Sequence, residues 1–503
     1  MQARDVPSHY DVLIIGAGVS GIGMACHLAM ACPGKKVGIL ERRQNIGGTW
    51  DLFRYPGVRS DSDMFTFGYA FRPWNTGKAL SDGAAIREYV TETAREFGID
   101  GKIQFGRKTT GVRWCSQDAT WTVTTLDENS GQQYRYRAGF IVNCTGYYNY
   151  DQGYRPAFEG EQDFNGRIVH PQHWPQDLDY SGKRVVVIGS GATAVTLVPA
   201  MAEAAGHVTM LQRSPTYMFS MPRFDKMSVL LKRVMPADWA HAATRWRYAN
   251  QQRLFYWFAR HWPKPARALL QGLVHKQVGK HCDMRHFSPS YNPWDERLCA
   301  VADGDLFKAI KDGKASITTD HIDSFTENGI KLKSGQVLEA DIIVTATGLN
   351  AQVFGDVEVQ VDGQTRPMNE LLTYKGTLLQ DLPNMAWIIG YVNFSWTLKV
   401  DIAARYICRL LRHMDARGLE TVTPRAPAEE FDDGNILSAL GSGYVRRAAH
   451  TLPQQGRHLP WRVLHHYPRD RAMLTKQPIE DPALEFTRAA SRTRAEEALA
   501  TAA

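Results

Sequence analysis

The residues that could do chemistry first appear in a glycine-rich turn close to the start of the chain. Gly16, Gly18 and Gly21 follow an apolar run that is typical of a buried strand. Gly16 permits a tight turn, Gly18 lets the backbone approach a pyrophosphate, and Gly21 lets helix and strand pack closely. A second predicted strand, residues 37–40, ends at Glu41, whose carboxylate suits ribose hydroxyls. The pattern predicts a βαβ unit that binds FAD or NAD.

A second glycine-rich turn follows the apolar residues 185–188, with Ala194 at the position of the last glycine. The next predicted strand ends in Arg213 and Ser214, where the first unit ended in an acid. A guanidinium and a hydroxyl can bind a 2′-phosphate, which a carboxylate would repel. We therefore predict a second nucleotide unit that prefers NADPH. The turn residues that we expect to contact this nucleotide are Gly189, Gly191 and Thr193.

Length and composition place these units in a multidomain globular protein. The chain has 503 residues, 44% hydrophobic and 22% charged, which favours two or three domains and excludes a disordered or disulfide-scaffold protein. A net charge of +7 is modest at this length and does not indicate nucleic-acid binding. The seven cysteines form no CxxC pair, and neither a secretory signal nor an apolar run of about 18 residues is present. We expect a cytoplasmic protein, possible membrane association being considered below.

Two longer stretches carry a family resemblance. Residues 47–61 match the pattern GGxWxxxxYPGxxxD, and residues 164–175 match FxGxxxHxxxWP. Both resemble signatures of type I Baeyer-Villiger monooxygenases, a branch of the flavin-containing monooxygenases. The segments RYPGVRSDSDM, HVTMLQRSPTY and YNPWDERLC are also similar to the ethionamide-activating monooxygenase group. The resemblance implies an α/β fold with two Rossmann-like dinucleotide-binding domains, for FAD and NADPH, and a helical insertion.

The resemblance also implies roles for particular residues. It places Asp61 beside the isoalloxazine, His170 where the two nucleotide domains meet, and Arg297 within reach of the flavin. The loop residues implied to lie against the flavin are Gly48, Thr49 and Trp50. Each assignment has a structural alternative: Asp61 could cap a helix, His170 could be a satisfied linker histidine, and Arg297 with Asp61 could form ordinary ion pairs. Glu296 stands where many relatives carry lysine, which weakens the expected NADPH preference.

The chemistry implied by the resemblance is oxygenation of a small apolar substrate. NADPH would reduce bound FAD, O2 would react with it, and Arg297, oriented by Asp61, would hold the activated oxygen as an anion that attacks a ketone. The products would be esters or lactones, with sulfoxidation of thioethers and thioamides alongside. The alternatives are an N- or S-oxygenase without ketone activity and a non-catalytic membrane-associated flavoprotein. A disulfide reductase would need a cysteine pair beside the flavin, and Cys26 and Cys32 are not placed for it.

A basic, aromatic stretch interrupts the second nucleotide domain. Residues 217–281 hold twelve lysines and arginines against two acids, Asp225 and Asp238. Leu254, Trp257, Phe258, His261 and Trp262 fall at helical spacing. One interpretation is a helical insertion that packs on the NADPH domain with a solvated basic face. The other is a surface that lies on an anionic membrane or lines an entrance for apolar substrates.

The predicted organisation has six segments and no metal site. A cluster of His275, His281, Cys282 and His286 lacks the partners of a tetrahedral zinc site. The oligomeric state is left open. The predicted segments are the first part of the FAD domain (1–150), the first part of the NADPH domain (151–216), the insertion (217–290), the remainder of the NADPH domain with a linker (291–335), the second part of the FAD domain (336–486) and a C-terminal tail (487–503).

Overall fold

The larger of two main sheets begins with the first glycine-rich unit. In this computed structural model, which describes residues 3–296, 298–438 and 441–488, the strand Arg4–Ile15 leads through the helix Val19–Ala31 into the strand Val37–Leu40. The two strands are parallel, with Leu13 opposite Gly38. Their inner residues, such as Leu13 and Ile14, are fully buried because both faces of the sheet are covered.

The larger sheet defines the first domain. An antiparallel meander of long strands extends it on one side, and Met385–Trp387 pairs with the carboxyl end of the strand that also flanks Arg4–Ile15. The order of the main path is Gln364–Thr365, Glu358–Val361, Lys108–Cys115, Thr120–Leu126, Gln133–Asn143, Arg4–Ile15, Val37–Leu40 and Ile103–Gln104, with Thr373–Tyr374 and Leu378–Leu379 leading to Met385–Trp387.

The smaller main sheet defines the second domain and is parallel throughout its described strands. Its order is Ala315–Thr319, His207–Gln212, Arg184–Ile188, Ile342–Thr345 and Arg167–Val169. The predicted return to the first domain at residue 336 is wrong, because Ile342–Thr345 pairs with strands of the second sheet. The chain re-enters the first sheet only at Glu358–Val361, which pairs with Lys108–Cys115. The predicted α/β class with two Rossmann-like domains is confirmed.

Helices cover both main sheets, and four smaller sheets complete the described fold. In the described residues, the α-helices outside the insertion are Val19–Ala31, Thr49–Leu52, Met64–Phe67, Gly83–Glu96, Ala192–Met201, Asp305–Lys311, Trp396–Arg417, Gly443–Ala448 and Tyr467–Lys476. The additional strand pairs and ribbon are Met218–Met221 with Cys299–Ala302, Ile322–Thr326 with Gly329–Leu332 and Val337–Glu339, Thr421–Pro424 with Leu484–Thr487, and Phe431–Asn435 with Gln454–Gly456. From residue 489 onward the predicted tail lies outside the described residues.

The insertion consists of the helices Lys226–Val234, Ala237–His261 and Pro263–Val278. It contacts both domains, so that its packing extends beyond the second domain considered in one interpretation of the sequence. Tyr248 stacks on Phe65 of the first domain at 5.3 Å between ring centroids. Leu270 and Val274 are buried, Val274 within the core of the second domain. In the described part of the chain, no helix is both long and apolar enough to cross a membrane.

One largely buried arginine attaches the long insertion helix to the first domain. Arg245 donates to the carbonyl oxygens of Phe65, Thr66 and Gly68 at 2.7–3.1 Å. Its other Nη atom lies 3.0 Å from the carboxylate of Asp401, and its side chain is only 12% exposed. These four contacts from one mostly buried side chain attach the insertion helix to the first domain.

Candidate functional site

The first glycine turn has the geometry that its residue types predict. Gly16 has φ +104°, and a Cβ there would lie 2.6 Å from the carbonyl oxygen of Cys144. A Cβ at Gly21 would lie 1.9 Å from the carbonyl oxygen of Gly16. No larger residue fits either position without moving backbone. The helix Val19–Ala31 then starts with no side-chain cap and no acid in its first turn, so its first N–H groups are available to an anion.

The loop of the longer signature packs against this turn. Gly48 has φ +57°, and a Cβ at Gly18 would lie 3.5 Å from the Cα of Gly48. The two backbones therefore face each other with no side chain between them. Thr49 Oγ1 lies 3.2 Å from the hydroxyl of Tyr150, and the ring of Trp50 meets Phe67 edge-on at 5.8 Å. These contacts fix the loop beside the glycine turn.

Glu41 is held at the end of its strand by backbone groups. Its carboxylate accepts from the N–H of Ala17 at 2.7 Å and from the N–H of Arg43 at 2.8 Å. The residue is only 5% exposed, and burial raises the pKa of its carboxyl group. Both oxygens keep a free lone pair for a hydroxyl donor such as a ribose.

The second glycine turn repeats the first in the second domain. Gly189 has φ +134°, and a Cβ there would lie 2.3 Å from the carbonyl oxygen of Ala346. Gly191 is different, because a Cβ there would meet open space. The helix Ala192–Met201 starts beside it with no side-chain cap and no acid in its first turn, and Thr193 lies in that turn. Two helices thus present uncapped N-termini.

Arg213 and Ser214 follow the strand His207–Gln212 and are exposed. The hydroxyl of Ser190, in the second glycine turn, donates to the carbonyl oxygen of Ser214 at 3.1 Å. Within the described ranges, Arg213 has neither a hydrogen bond nor an ion pair. No carboxylate among the described residues therefore competes for its guanidinium.

Both turns open onto one cavity of about 1370 Å³. Its wall combines the signature loop with the starts of both helices and with apolar side chains of the insertion. Gly21, Gly189, His170, Arg213 and Ser214 are not part of its wall. The predicted site residues that line it are Gly16, Gly18, Glu41, Gly48, Thr49, Trp50, Asp61, Gly191 and Thr193.

Asp61 is exposed and lines the cavity. Among residues 3–296, 298–438 and 441–488 its carboxylate has no hydrogen-bond or ion-pair partner. Its predicted partner, Arg297, lies outside the described residues, although its neighbours Glu296 and Leu298 line the same cavity. The alternative in which Asp61 caps a helix is wrong, because Asp63 caps Met64–Phe67 by accepting from the N–H of Thr66.

Asp63 is a cavity residue that sequence reasoning missed. It is fully buried, and its carboxylate also accepts from the Thr66 hydroxyl and from the Gln252 amide, both at 2.6 Å. Burial raises the pKa of Asp63 to about 6. The cap pattern of an acid three residues before Thr66 was visible in the sequence, but the contact from Gln252 on the insertion was not.

His170 lies where the chain crosses between the domains. The two crossings run side by side, with Tyr154 N–H donating to Gly348 O at 3.0 Å. His170 Nδ1 accepts from the N–H of Gln172 at 3.2 Å, so Nε2 carries the proton and donates to the same Gly348 oxygen at 3.3 Å. Burial lowers the pKa of His170, which favours this neutral ring. A Cβ at Gly153 would lie 2.0 Å from the ring, so the imidazole packs directly on that backbone.

No cluster of three or more histidine, cysteine, aspartate or glutamate side chains suited to a metal occurs in the part of the chain that the structure describes. The site is instead built from two uncapped helix N-termini, side-chain-free approaches at glycine, and one large cavity between them. These features define a flavoprotein with two dinucleotide-binding domains.

Comparisons with known proteins agree with this class. Residues 79–422 match the flavin-binding monooxygenase-like family, and residues 14–82 match an NAD(P)-binding Rossmann-like domain. The chain belongs to the flavin-binding monooxygenase-like family and is a flavin-dependent monooxygenase. The predicted family resemblance and the predicted cofactors, FAD and NADPH, are confirmed.

Individual relatives match over nearly the whole chain. The putative FAD-containing monooxygenase MymA of Mycobacterium tuberculosis is 56% identical over 96% of this chain and 98% of its own. The FAD-containing monooxygenase EthA of the same species is 48% identical over 95% and 98%. The probable FAD-binding monooxygenase AlmA of Acinetobacter baylyi is 49% identical over 95% and 96%.

Solved structures agree in fold. A cyclohexanone monooxygenase bound to ε-caprolactone superposes with a TM-score of 0.74 at 19% identity, covering 95% of this chain and 100% of the other. An oxidised steroid monooxygenase bound to NADP gives 0.72 at 21% identity, covering 96% and 100%.

Proposed function

We propose that the protein is an NADPH-consuming, FAD-dependent Baeyer-Villiger monooxygenase. The net reaction takes a ketone, O2, NADPH and a proton to an ester or lactone, water and NADP⁺. One atom of O2 enters the bond between the carbonyl carbon and its neighbour, and the other leaves as water. The observation that carries the proposal is that both glycine turns and the signature loop meet at one cavity.

The first domain offers the groups that FAD requires. We assign the pyrophosphate to the turn of Gly16, Gly18 and Gly21, and the ribose to Glu41. The flavin ring then extends along Gly48, Thr49 and Trp50 towards Asp61. The fit rests on the close backbone contact of Gly18 with Gly48, which leaves no side chain over the turn, and on the uncapped helix N-terminus.

The second domain offers the groups that NADPH requires. We assign its pyrophosphate to Gly189, Gly191 and Thr193, where open space faces an uncapped helix. Arg213 and Ser214 are assigned to the 2′-phosphate, since the exposed guanidinium has no partner among the described residues. Glu296 lines the cavity and adds a negative charge there, which opposes a phosphate.

The ketone step needs a fixed cation. When bound, the reduced flavin supplies activated oxygen from O2. We assign to Arg297 the stabilisation of negative charge on the activated oxygen and on the former carbonyl oxygen, and to Asp61 the orientation of Arg297. The carboxylate of Asp61, which has no partner among the described residues, supports this role. His170 would act at a distance, by linking the two crossings between domains through Gly348.

The substrate that suits this cavity is apolar. Phe219, Phe255 and Leu270 contribute to its wall beside the flavin-domain residues. Apolar walls favour a ketone or thioether over a charged substrate, because no counter-charge is needed on binding.

A product panel tests the proposal. The holoenzyme is given ketones and thioethers of matched size while NADPH consumption, ester and sulfoxide are measured. We expect ester formation coupled to NADPH uptake. Sulfoxide without any ester would instead support the second candidate, an N- or S-oxygenase, whose reaction needs no carbonyl activation.

A substitution at Arg297 tests the assigned role. Arg297→Ala should reduce ester formation by about 10²–10³-fold, the usual effect of losing one charge-stabilising donor, while NADPH still reduces the flavin. Arg285→Ala removes an exposed arginine of the same domain and serves as the matched control. Ester formation that survives Arg297→Ala would contradict the assignment.

We also propose that residues 217–281 contact an anionic membrane peripherally. The support is the charge of this segment, twelve basic residues against two acids, together with its aromatic content.

A further inference from the structure

Exposed apolar side chains are concentrated on the insertion. Of the sixteen large apolar side chains that are exposed in the described residues, twelve lie between Phe224 and Leu273. Trp239 and Trp246 are 73% and 70% exposed on the middle helix, and Leu254 and Trp257 continue their stripe. The apolar stripe that the sequence predicted at residues 254–262 is therefore partly exposed instead of buried in a core. Such a concentration indicates an interaction surface, because isolated domains rarely expose so many large apolar groups together.

The same helices carry the positive charge that an anionic partner would meet. Arg245, Arg247 and Arg260 already pair with Asp401, Asp225 and Asp295. The basic residues that are exposed and have no ion pair within the described ranges are Lys226, Arg233, Lys264, Lys276 and Lys280. Exposed tryptophans on the middle helix and exposed basic residues on and near its two neighbours match the chemistry of a lipid headgroup layer.

The cavity opens through this surface. Phe224, Met227, Leu269 and Leu273 are 46–59% exposed, and all four also line the cavity wall. They come from the first and third helices of the insertion and the loop before them. The middle helix lines the cavity with Gln252 and Phe255, and turns its tryptophans outward.

We infer that the insertion docks on an anionic bilayer with the cavity mouth against the lipid, so that the substrate enters from the bilayer. The substrate class that this route selects is apolar ketones long enough to partition into membranes. The inference rests on the proposed function for the reaction, but not for the docking. It goes beyond peripheral contact because it makes the lipid-facing mouth the entrance of the site.

Docking is tested with the full holoenzyme and sedimenting vesicles. Vesicles of equal parts phosphatidylglycerol and phosphatidylcholine should retain at least tenfold more protein than pure phosphatidylcholine, and salt should reduce the difference. The double variant Trp239→Ser, Trp246→Ser should lower retention at least fivefold. Lys264→Glu with Lys276→Glu should do the same.

Two control variants match these changes outside the insertion. Val337→Ser removes an apolar side chain that is 51% exposed on the second domain, and Lys333→Glu reverses an exposed charge there. Both should bind vesicles as the unchanged protein does. Equal retention on both vesicle types, or equal loss in controls and insertion variants, would overturn the docking. A tryptophan variant that splits an oligomer in size-exclusion chromatography would identify the surface as a subunit interface and overturn it too.

The route is tested with two ketones of different solubility. A short water-soluble ketone should be turned over equally by the unchanged protein and by the tryptophan variant, because neither tryptophan lines the cavity. A long-chain ketone preloaded into anionic vesicles should be consumed at least fivefold more slowly by the variant. Equal consumption of the vesicle-borne ketone would refute entry from the bilayer. Vesicle binding without oxygenation of either ketone would refute the proposed function and leave the docking intact.

Discussion

Coenzyme selection should depend on Arg213. Arg213 is exposed at the end of the strand His207–Gln212 with no partner in the described ranges, whereas the equivalent position of the first domain is the buried Glu41. A hydrogen bond to a charged group contributes about 1.5–3 kcal/mol. Because Arg213 is exposed, water competes and the lower end applies. About 1.4 kcal/mol corresponds to a tenfold change. Arg213→Ala should therefore lower kcat/KM for NADPH about tenfold.

The assay compares two coenzymes in one experiment. Stopped-flow measurement of flavin reduction gives the dependence on NADPH and on NADH, and only the NADPH value should fall, since NADH lacks the 2′-phosphate. Arg285→Ala, an exposed arginine of the same domain, should change neither. An equal loss with both coenzymes would mean that Arg213 supports the structure of the turn. No loss with either would place the 2′-phosphate elsewhere.

Two further predictions concern the contact of the insertion with the first domain and the crossings between the two domains. Arg245→Met should lower the free energy of unfolding of the holoprotein by about 3 kcal/mol in urea, because it leaves the buried Asp401 without that cation. Arg233→Met, exposed on the insertion, is the control, and a loss below about 1 kcal/mol would contradict the anchoring role. Because burial lowers the pKa of His170, its stabilising contribution is present above the ordinary pKa of about 6.5 and is lost as pH falls towards the folded value. Between pH 7.5 and 5.5 the unchanged protein should lose more unfolding free energy than His170→Gln; parallel curves would refute this.

The sequence predicted what local chemistry determines. The glycine turns could be predicted because the conformation of Gly16 and the close contact of Gly21 exclude larger residues there. Short apolar strands could also be predicted, and Val37–Leu40 has the predicted bounds. Glu41 was identified from its position directly after this apolar run, and the structure adds the N–H groups of Ala17 and Arg43 that hold its carboxylate.

What the sequence could not predict depends on contacts between distant segments. Ile342–Thr345 is a run of apolar and β-branched residues that would suit either sheet, and only its partners decide the sheet it joins. Asp63 acquires its buried setting from Gln252, nearly two hundred positions away. The stripe of the long insertion helix has the periodicity of a packed face, yet Leu254 and Trp257 are exposed. Periodicity predicts which residues share one face of a helix, but it does not predict what that face contacts.

The signature loop has a mechanical consequence for the whole enzyme. Tyr55, which belongs to the loop of the first domain, is 7% exposed within the hydrophobic core of the second, and a Cβ on the adjacent Gly57 would lie 2.6 Å from Thr196 O. A buried aromatic ring of about 150–250 Å² contributes roughly 4–6 kcal/mol at 25 cal/mol per Å². A state in which the domains have separated and this ring is withdrawn would therefore be populated by fewer than about one molecule in a thousand. The second domain therefore carries this piece of the first domain with it, and any relative rotation must be absorbed elsewhere in the loop.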